Sequence, residues 1–212
     1  CELAKEQGAC NDYIETKYYK GLLPIDHYKE EVDQLVEPVY DLDWESLREK
    51  VKTYGLRNST LSAQMPSESS SVVCNATNGV EPPRDHLSIK KSKKGTLKQI
   101  VPSYTTLKNH YTLLWDMKSM DGYLNIMAVI QKFFDQSIST NTSYNPQHYE
   151  NSEVPASVLI GDLLRSYKLG IKTLYYQNTY DGKGEEEITD KQLDDEVADL
   201  LSMTDDCESC KL

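Results

Sequence analysis

The chain has 212 residues, a mass of 24.2 kDa and a formal net charge of −11, which allow one domain with a sizeable core. This acidic balance excludes nucleic-acid or anionic-membrane binding as the main activity, because both require clustered cations. No run of about 18 apolar residues occurs, so we expect no membrane-spanning helix, and no basic n-region followed by an apolar h-region is visible, so we expect no secretory signal.

The first residues of the sequence are typical of a position inside a longer protein. No Met precedes Cys1, and residues 2–6 are typical of the middle or end of a helix. We therefore expect a carboxy-terminal piece, either released by processing or encoded separately. Because Cys is a permitted first residue after an intein, splicing to an upstream part and persistence as a separate chain both stay open.

Periodicity and turn residues predict alternating strands and helices along the chain. In the first helix, Asp43 suits the cap, apolar side chains recur at helical spacing from Trp44 to Tyr54, and Gly55 suits the end. Strand and helix alternating in sequence indicate a parallel α/β architecture rather than a helical bundle. In chain order, the predicted elements are helix 44–54, strand 61–65, a helix start at 66–71, a hairpin of 87–90 and 96–101, helices 104–115 and 122–136, strand 137–142, helix 155–169 and strand 171–177.

Residues 181–212 differ in composition from the domain formed by residues 1–180, with 12 acidic side chains against three lysines. Such a segment repels itself and contains few large apolar groups, so we expect a flexible and mostly solvated acidic tail. A transient helix is expected within the tail, with an apolar face made of Leu193, Val197, Leu200 and Leu201.

Cys207 and Cys210 stand at the tip of this tail, where no packed core is expected to hold them. Their two-residue spacing lets the sulfurs reach disulfide distance, which favours thiol–disulfide exchange on a tethered arm. Incidental tail cysteines are the alternative interpretation, and a metal site would need ligands that no second pair or nearby histidine supplies. With Cys1, Cys10 and Cys74 they make five scattered cysteines, an odd number that favours a reducing cytoplasm.

Two further patterns are candidates for chemistry. Pro66, Ser67, Glu68, Ser69 and Ser70 combine hydroxyls with the N–H groups of a helix start, which suits a phosphate cradle as well as a plain helix cap. Tyr175 and Tyr176 lie at the carboxyl end of a predicted strand, where α/β sheets usually bind ligands, although tyrosines also suit ordinary strand packing. The four histidines show no catalytic or metal-binding spacing.

Five stretches of the sequence carry a family resemblance: GLRNSTLSA (55–63), MPSE (65–68), NATNGVEP (75–82), DQSIS (135–139) and KTLYYQNT (172–179). Together they resemble the large catalytic subunit of class I ribonucleotide reductases, in the forms of aerobic bacteria and T4-like bacteriophages. The resemblance covers residues 2–212, around the last third of such a subunit. It implies the carboxy-terminal part of a ten-stranded α/β barrel that reduces ribonucleoside diphosphates to deoxyribonucleotides by radical chemistry.

The resemblance implies a role for each pattern. The segment 66–70 matches the loop and helix start that hold the substrate diphosphate. Tyr175 and Tyr176 match the paired tyrosines that relay an oxidising equivalent from the small subunit to a catalytic cysteine. Cys207 and Cys210 match the tail cysteines that reduce the active-site disulfide after each turnover, although some relatives have a longer spacing here.

The resemblance also implies partners for this chain. The radical cofactor, a di-iron tyrosyl centre, belongs to the small subunit, and thioredoxin or glutaredoxin re-reduces the tail; no cofactor or metal is expected in this chain itself. Helix 155–169 resembles one that helps form the docking groove for the small subunit's carboxy-terminal tail. The thiyl-forming cysteine, the substrate-reducing cysteine pair and the ATP/dNTP effector sites fall in the amino-terminal part, so we expect this chain alone to be inactive. A non-catalytic interaction module with an acidic tail is the alternative function.

Overall fold

The computed structural model describes residues 1–39, 41–92, 95–182 and 190–205. The α-helices are α1 Glu2–Gln7, α2 Trp44–Tyr54, α3 Glu68–Val73, α4 Tyr104–Leu107, α5 Asp121–Gln131, α6 Ala156–Lys168 and α7 Asp190–Asp205. The strands are β1 Leu87–Ser92, β2 Gly95–Ile100, β3 Thr140–Tyr144 and β4 Leu174–Thr179. The chain divides into two compact units, which are Cys1–Pro66 with Lys118–Asn178 (unit 1) and Ser67–Met117 with Thr179–Leu212 (unit 2).

Helix α2 of unit 1 forms where the sequence predicts it. The Asp43 carboxylate accepts the N–H of Ser46 at 2.9 Å and caps the first turn. Gly55 ends the helix with a φ of 74°, a conformation that favours glycine. Val51 is buried on the inner side of the helix and packs with Leu23 and other buried side chains of unit 1, so local signals and burial agree here.

Helix α5 of unit 1 is shorter than predicted. It ends at Gln131 instead of 136, because the N–H of Phe133 bonds to the carbonyl of Ile130, three residues back. The Gln131 side chain then donates to the carbonyls of Phe134 at 3.3 Å and Gln136 at 2.8 Å, which stabilises the turn that follows. The helix still supplies much of the unit's core through Leu124, Met127 and Ala128.

The strands of unit 1 differ in part from the prediction. The expected strand at 61–65 is wrong, because within that stretch only Gln64 pairs, in an isolated parallel bridge with Ile138. The strands expected at 137–142 and 171–177 are found slightly later in the chain as β3 and β4, which are neighbours in one sheet. Within the ranges described, the strands form two separate two-stranded sheets, so helices and strands mix as predicted but close no barrel.

Unit 2 contains the predicted hairpin, with β1 and β2 antiparallel and Leu87 opposite Ile100. The helix predicted over 104–115 is wrong, since α4 covers only Tyr104–Leu107 and a 3-10 turn, Lys108–His110, follows. Nε2 of His86 lies 3.0 Å from the carbonyl oxygen of Lys108. This oxygen therefore has a side-chain partner in place of the backbone N–H that a continuing helix would provide.

Helix α7 of unit 2 comes from the acidic tail. Leu193 and Val197, only 9% and 3% exposed, join Leu87, Val101 and Tyr104 in one apolar cluster. Leu200 packs against the same cluster, whereas only the backbone of Leu201 is described. Three of the four residues predicted for the apolar face of a transient helix are therefore packed rather than solvated.

Candidate functional site

Tyr175 and Tyr176 form a pair of contacting rings on β4. Their ring centroids are 4.3 Å apart at an interplanar angle of 58°, and the side chains are 52% and 56% exposed. Successive side chains of a regular strand point to opposite faces, yet these two neighbouring rings approach each other closely. The two predicted site residues are thus brought together as directly touching, accessible phenols.

Asn141 of β3 contacts the backbone of this pair. Its side-chain oxygen Oδ1 accepts the N–H of Tyr176 at 3.1 Å, and its own N–H donates to the hydroxyl of Tyr123 at 3.3 Å. Tyr123 is a buried residue of α5, and Thr140 and Thr142 on either side of Asn141 are buried as well. Sequence analysis assigned Asn141 no part in this site; it marked the residue only as an N-x-S/T glycosylation pattern, which we interpret as a coincidence.

The candidate phosphate segment continues from Pro66, the last residue of unit 1 before the chain enters unit 2. Ser67 is the N-cap of α3, but its side chain makes no capping hydrogen bond. Its N–H donates to the carbonyl of Asn78 at 2.8 Å, and its carbonyl accepts the N–H of Ser71 at 3.1 Å. The exposed residues of the segment are Ser67, Glu68, Ser69 and Ser70, so their hydroxyls are accessible beside first-turn N–H groups that no helical carbonyl can reach.

Asp135, in the DQSIS stretch, fixes the chain that leads into both candidate sites. Its carboxylate accepts the N–H groups of Leu61 at 2.7 Å and Ser62 at 3.0 Å, and the hydroxyl of Tyr18 at 2.8 Å. Burial alone would raise the pKa of Asp135, but these donors outweigh it and the pKa is lowered. Nζ of Lys172 donates to the backbone carbonyl of Asp135 at 2.7 Å. Residues shortly before the phosphate segment and shortly before the tyrosine pair therefore meet at one place in unit 1.

Helix α6 has a polar buried side and an apolar exposed side. Asp162 is buried and accepts the hydroxyl of Tyr144 at 2.8 Å, while the hydroxyl of Ser166 donates to the Asp162 carbonyl at 2.7 Å. Burial raises the pKa of Asp162 although the Tyr144 hydrogen bond opposes this. The exposed side carries Ile160, Leu163, Leu164 and Tyr167, and a contiguous apolar surface of this kind is typical of a protein interface.

Charged contacts add to the packing of α7 within unit 2. Asp194 accepts Nζ of Lys108 at 2.7 Å and the hydroxyl of Tyr104 at 2.9 Å, and Glu196 accepts Nζ of Lys98 at 2.7 Å. The hydrogen bond from Lys108, followed by that from Tyr104, lowers the pKa of Asp194. Part of the tail's negative charge is therefore paired inside the chain.

The cysteines and metal ligands give fewer observations. Cys207 and Cys210 lie outside the described residues, so their exchange chemistry stays a prediction. In the part of the chain that the structure describes, the free cysteines are Cys1, Cys10 and Cys74, and no group of three or more His, Cys, Asp or Glu side chains could hold a metal ion. No helix in the same ranges is long and apolar enough to cross a membrane.

Known proteins similar to this chain agree on one family. A family model described as "Ribonucleotide reductase, barrel domain" matches residues 1–177. The ribonucleoside-diphosphate reductase subunit alpha of Buchnera aphidicola subsp. Baizongia pistaciae is 57% identical over 193 residues, which cover 91% of this chain and 25% of that protein. The ribonucleoside-diphosphate reductase 1 subunit alpha of Escherichia coli K12 is 54% identical over 215 residues, which cover 100% of this chain and 27% of that protein.

A bacteriophage relative is also similar. The ribonucleoside-diphosphate reductase subunit alpha of Enterobacteria phage T4 is 44% identical over 213 residues, which cover 100% of this chain and 27% of that protein. The chain therefore spans about a quarter of the length of these relatives, less than the third expected from the sequence. The predicted resemblance is confirmed: the chain belongs to the ribonucleotide reductase family, and its residues 1–177 match the barrel domain.

Proposed function

We propose that this chain is the carboxy-terminal portion of a ribonucleoside-diphosphate reductase alpha subunit, contributing part of a ten-stranded α/β barrel. In the assembled enzyme it takes part in the reduction of ribonucleoside diphosphates to deoxyribonucleoside diphosphates. The observation that carries the proposal is the direct contact of Tyr175 with Tyr176, 4.3 Å between ring centroids, in a chain of this family.

The tyrosine pair acts as a radical relay. A phenol can lose an electron and a proton together, and a touching neighbour can then supply both in turn. Tyr175 and Tyr176 therefore pass an oxidising equivalent from the small subunit towards a cysteine in the amino-terminal part of the subunit. Their exposed rings suit this role, because one of them has to meet a group that this chain lacks.

The segment from Pro66 to Ser70 binds the substrate diphosphate. The accessible hydroxyls of Ser67, Ser69 and Ser70 and the first-turn N–H groups of α3 are hydrogen-bond donors suited to phosphate oxygens. Because the Ser67 hydroxyl makes no capping hydrogen bond, it is available to a ligand.

The tail restores the reducing equivalents. Reduction of the substrate leaves a disulfide in the amino-terminal part, and a thiolate of Cys207 or Cys210 attacks that disulfide to form a mixed disulfide. The second tail cysteine then releases the reduced active-site pair and closes the tail disulfide. Thioredoxin or glutaredoxin reduces the tail disulfide in turn, which places the enzyme in a reducing cytoplasm.

The complete enzyme needs further chains. The amino-terminal part of the subunit supplies the catalytic cysteines and the effector sites, and the small subunit supplies the radical cofactor. Helix α6 offers its exposed apolar side, which includes Leu163, Leu164 and Tyr167, to the tail of the small subunit.

Substitution of either tyrosine tests the relay. Tyr175→Phe or Tyr176→Phe, in the reductase assembled with its amino-terminal part and small subunit, should abolish CDP reduction and leave CDP binding unchanged, because Phe has no phenolic proton. Tyr54→Phe, an exposed tyrosine of α2, is the matched control and should keep full activity. Normal turnover in either relay variant would refute this function.

Two further substitutions separate the other roles. The double change Ser67→Ala and Ser69→Ala should weaken CDP binding, whereas Ser157→Ala, an exposed serine in the first turn of α6, should not. Changing Cys207 and Cys210 to Ser should stop thioredoxin-driven multiple turnover, and a small dithiol should restore part of it. An unchanged thioredoxin-driven rate would remove the arm from the mechanism.

A further inference from the structure

The contact between Tyr175 and Tyr176 depends on the backbone of β4 that carries both rings. Neighbouring residues on a regular strand direct their side chains to opposite faces, yet these two rings lie 4.3 Å apart. Both side chains are more than half exposed. The backbone at Tyr176, and the group that binds its N–H, therefore contribute to the geometry of the pair.

Asn141 binds the backbone at this point. Its Oδ1 accepts the Tyr176 N–H at 3.1 Å, so a side chain of β3 holds the peptide that joins the two tyrosines. A shift of this peptide would move both rings, because the peptide links their two Cα atoms.

Asn141 is itself held by a contact with the core of unit 1. Its backbone N–H donates to the hydroxyl of Tyr123 at 3.3 Å, and Tyr123 is buried in α5. Thr140 and Thr142, its neighbours in β3, are buried too. The carboxamide thus extends from a fixed part of the core to the exposed edge where the tyrosines lie.

We propose that Asn141 is a positioning residue for the radical relay, holding Tyr175 and Tyr176 in contact by fixing the backbone N–H between their rings. The inference rests on the proposed relay function of the two tyrosines. Asn141 touches neither substrate nor cofactor in this role, and it acts only through the strand that carries the pair.

Removing the acceptor should slow turnover without affecting substrate binding. Leucine is similar in size to asparagine but accepts no hydrogen bond. In the assembled reductase, Asn141→Leu should therefore lower the fraction of molecules in which the two rings touch, and kcat should fall about 3- to 10-fold with it. The KM for CDP should stay within about twofold, because the phosphate segment is unchanged. Asn141→Asp keeps an acceptor at the same distance and should restore kcat to near the wild-type value.

Two more variants separate positioning from a general loss of structure. Asn141→Thr suits a strand but is too short to reach the Tyr176 N–H, so it should lower kcat as Asn141→Leu does. Asn178→Leu is the matched control, because its amide contacts Ser143 of β3 at 3.4 Å and therefore joins the same two strands without touching Tyr176. It should leave kcat within about twofold of wild type.

The outcomes distinguish this inference from the relay itself. Wild-type kcat in both Asn141→Leu and Asn141→Thr would overturn the positioning role, and so would an equal loss in Asn178→Leu. Tyr176→Phe is measured in parallel; if it retains turnover, the relay function fails. If Tyr176→Phe is inactive while the Asn141 variants are normal, only the positioning role fails.

Discussion

The packing of α7 leads to a prediction whose magnitude follows from burial. Val197 is 3% exposed, and Val197→Ala removes two methyl groups from the cluster that includes Leu87 and Tyr104. Lost burial and the resulting cavity cost about 2–2.5 kcal/mol. Alanine favours the helix itself by about 0.6 kcal/mol, which opposes the loss. The net change is about 1.5–2 kcal/mol against the docked helix.

Hydrogen–deuterium exchange measures this change directly. Amides of a locally opening helix exchange at a rate that follows its opening free energy, so about 1.5–2 kcal/mol raises the rate about 10- to 30-fold. The increase should be confined to α7, because the hairpin keeps its own antiparallel ladder from Leu87 to Ile100.

Asp195→Ala provides the control, because Asp195 lies on the exposed side of the same helix. It should leave exchange within about threefold of wild type, the range of helix-propensity effects alone. If Val197→Ala leaves exchange unchanged, or if both variants accelerate it equally, the helix is not held by its apolar face.

Three changes to charged side chains of unit 1 should alter stability in urea unfolding. Lys132→Met removes the partner of Asp33 in an ion pair of 2.7 Å. Because the Asp33 side chain is 27% exposed, the free energy of unfolding should fall by about 2 kcal/mol, less than the ~3–5 kcal/mol lost when a fully buried pair is broken. An unchanged free energy of unfolding would contradict this. Asp135→Asn should be destabilising at pH 7, and the difference should shrink as the pH falls below about 4, because the lowered pKa of Asp135 gives a stabilising contribution that is lost on acidification. Asp162→Asn should show the opposite trend: its stability relative to wild type should increase as the pH rises above about 4. The reason is that the raised pKa of Asp162 makes its ionised form unfavourable in the folded state. The same trend in both variants would contradict the assigned pKa directions.

Elements with local signals were predictable from the sequence. Helix α2 has its cap at Asp43 and its end at Gly55, and both act on residues within one turn. The hairpin likewise follows from two β-prone runs separated by a short lysine-rich stretch of sequence. The family resemblance added the tyrosine pair, whose ring contact no periodicity could indicate.

Features that depend on distant partners were not predictable. The helix expected over 104–115 stops because His86 approaches the Lys108 carbonyl from 22 residues away. Composition indicated a solvated tail, whereas Lys98 and Lys108 pair with its acids across the unit. Asn141 acts on a residue 35 positions later, so no local pattern marks it.

The hydrogen bonds of Asp135 also have a consequence for synthesis on the ribosome. The hydroxyl of Tyr18 is 117 residues from its acceptor, and the amide of Leu61 is 74 residues away. At about 5–20 residues per second, Tyr18 is made about 6–23 s before the carboxylate that it binds. During that time Tyr18 and Leu61 lack this acceptor, so unit 1 completes its fold only after the whole intervening stretch, 67–117, has been translated.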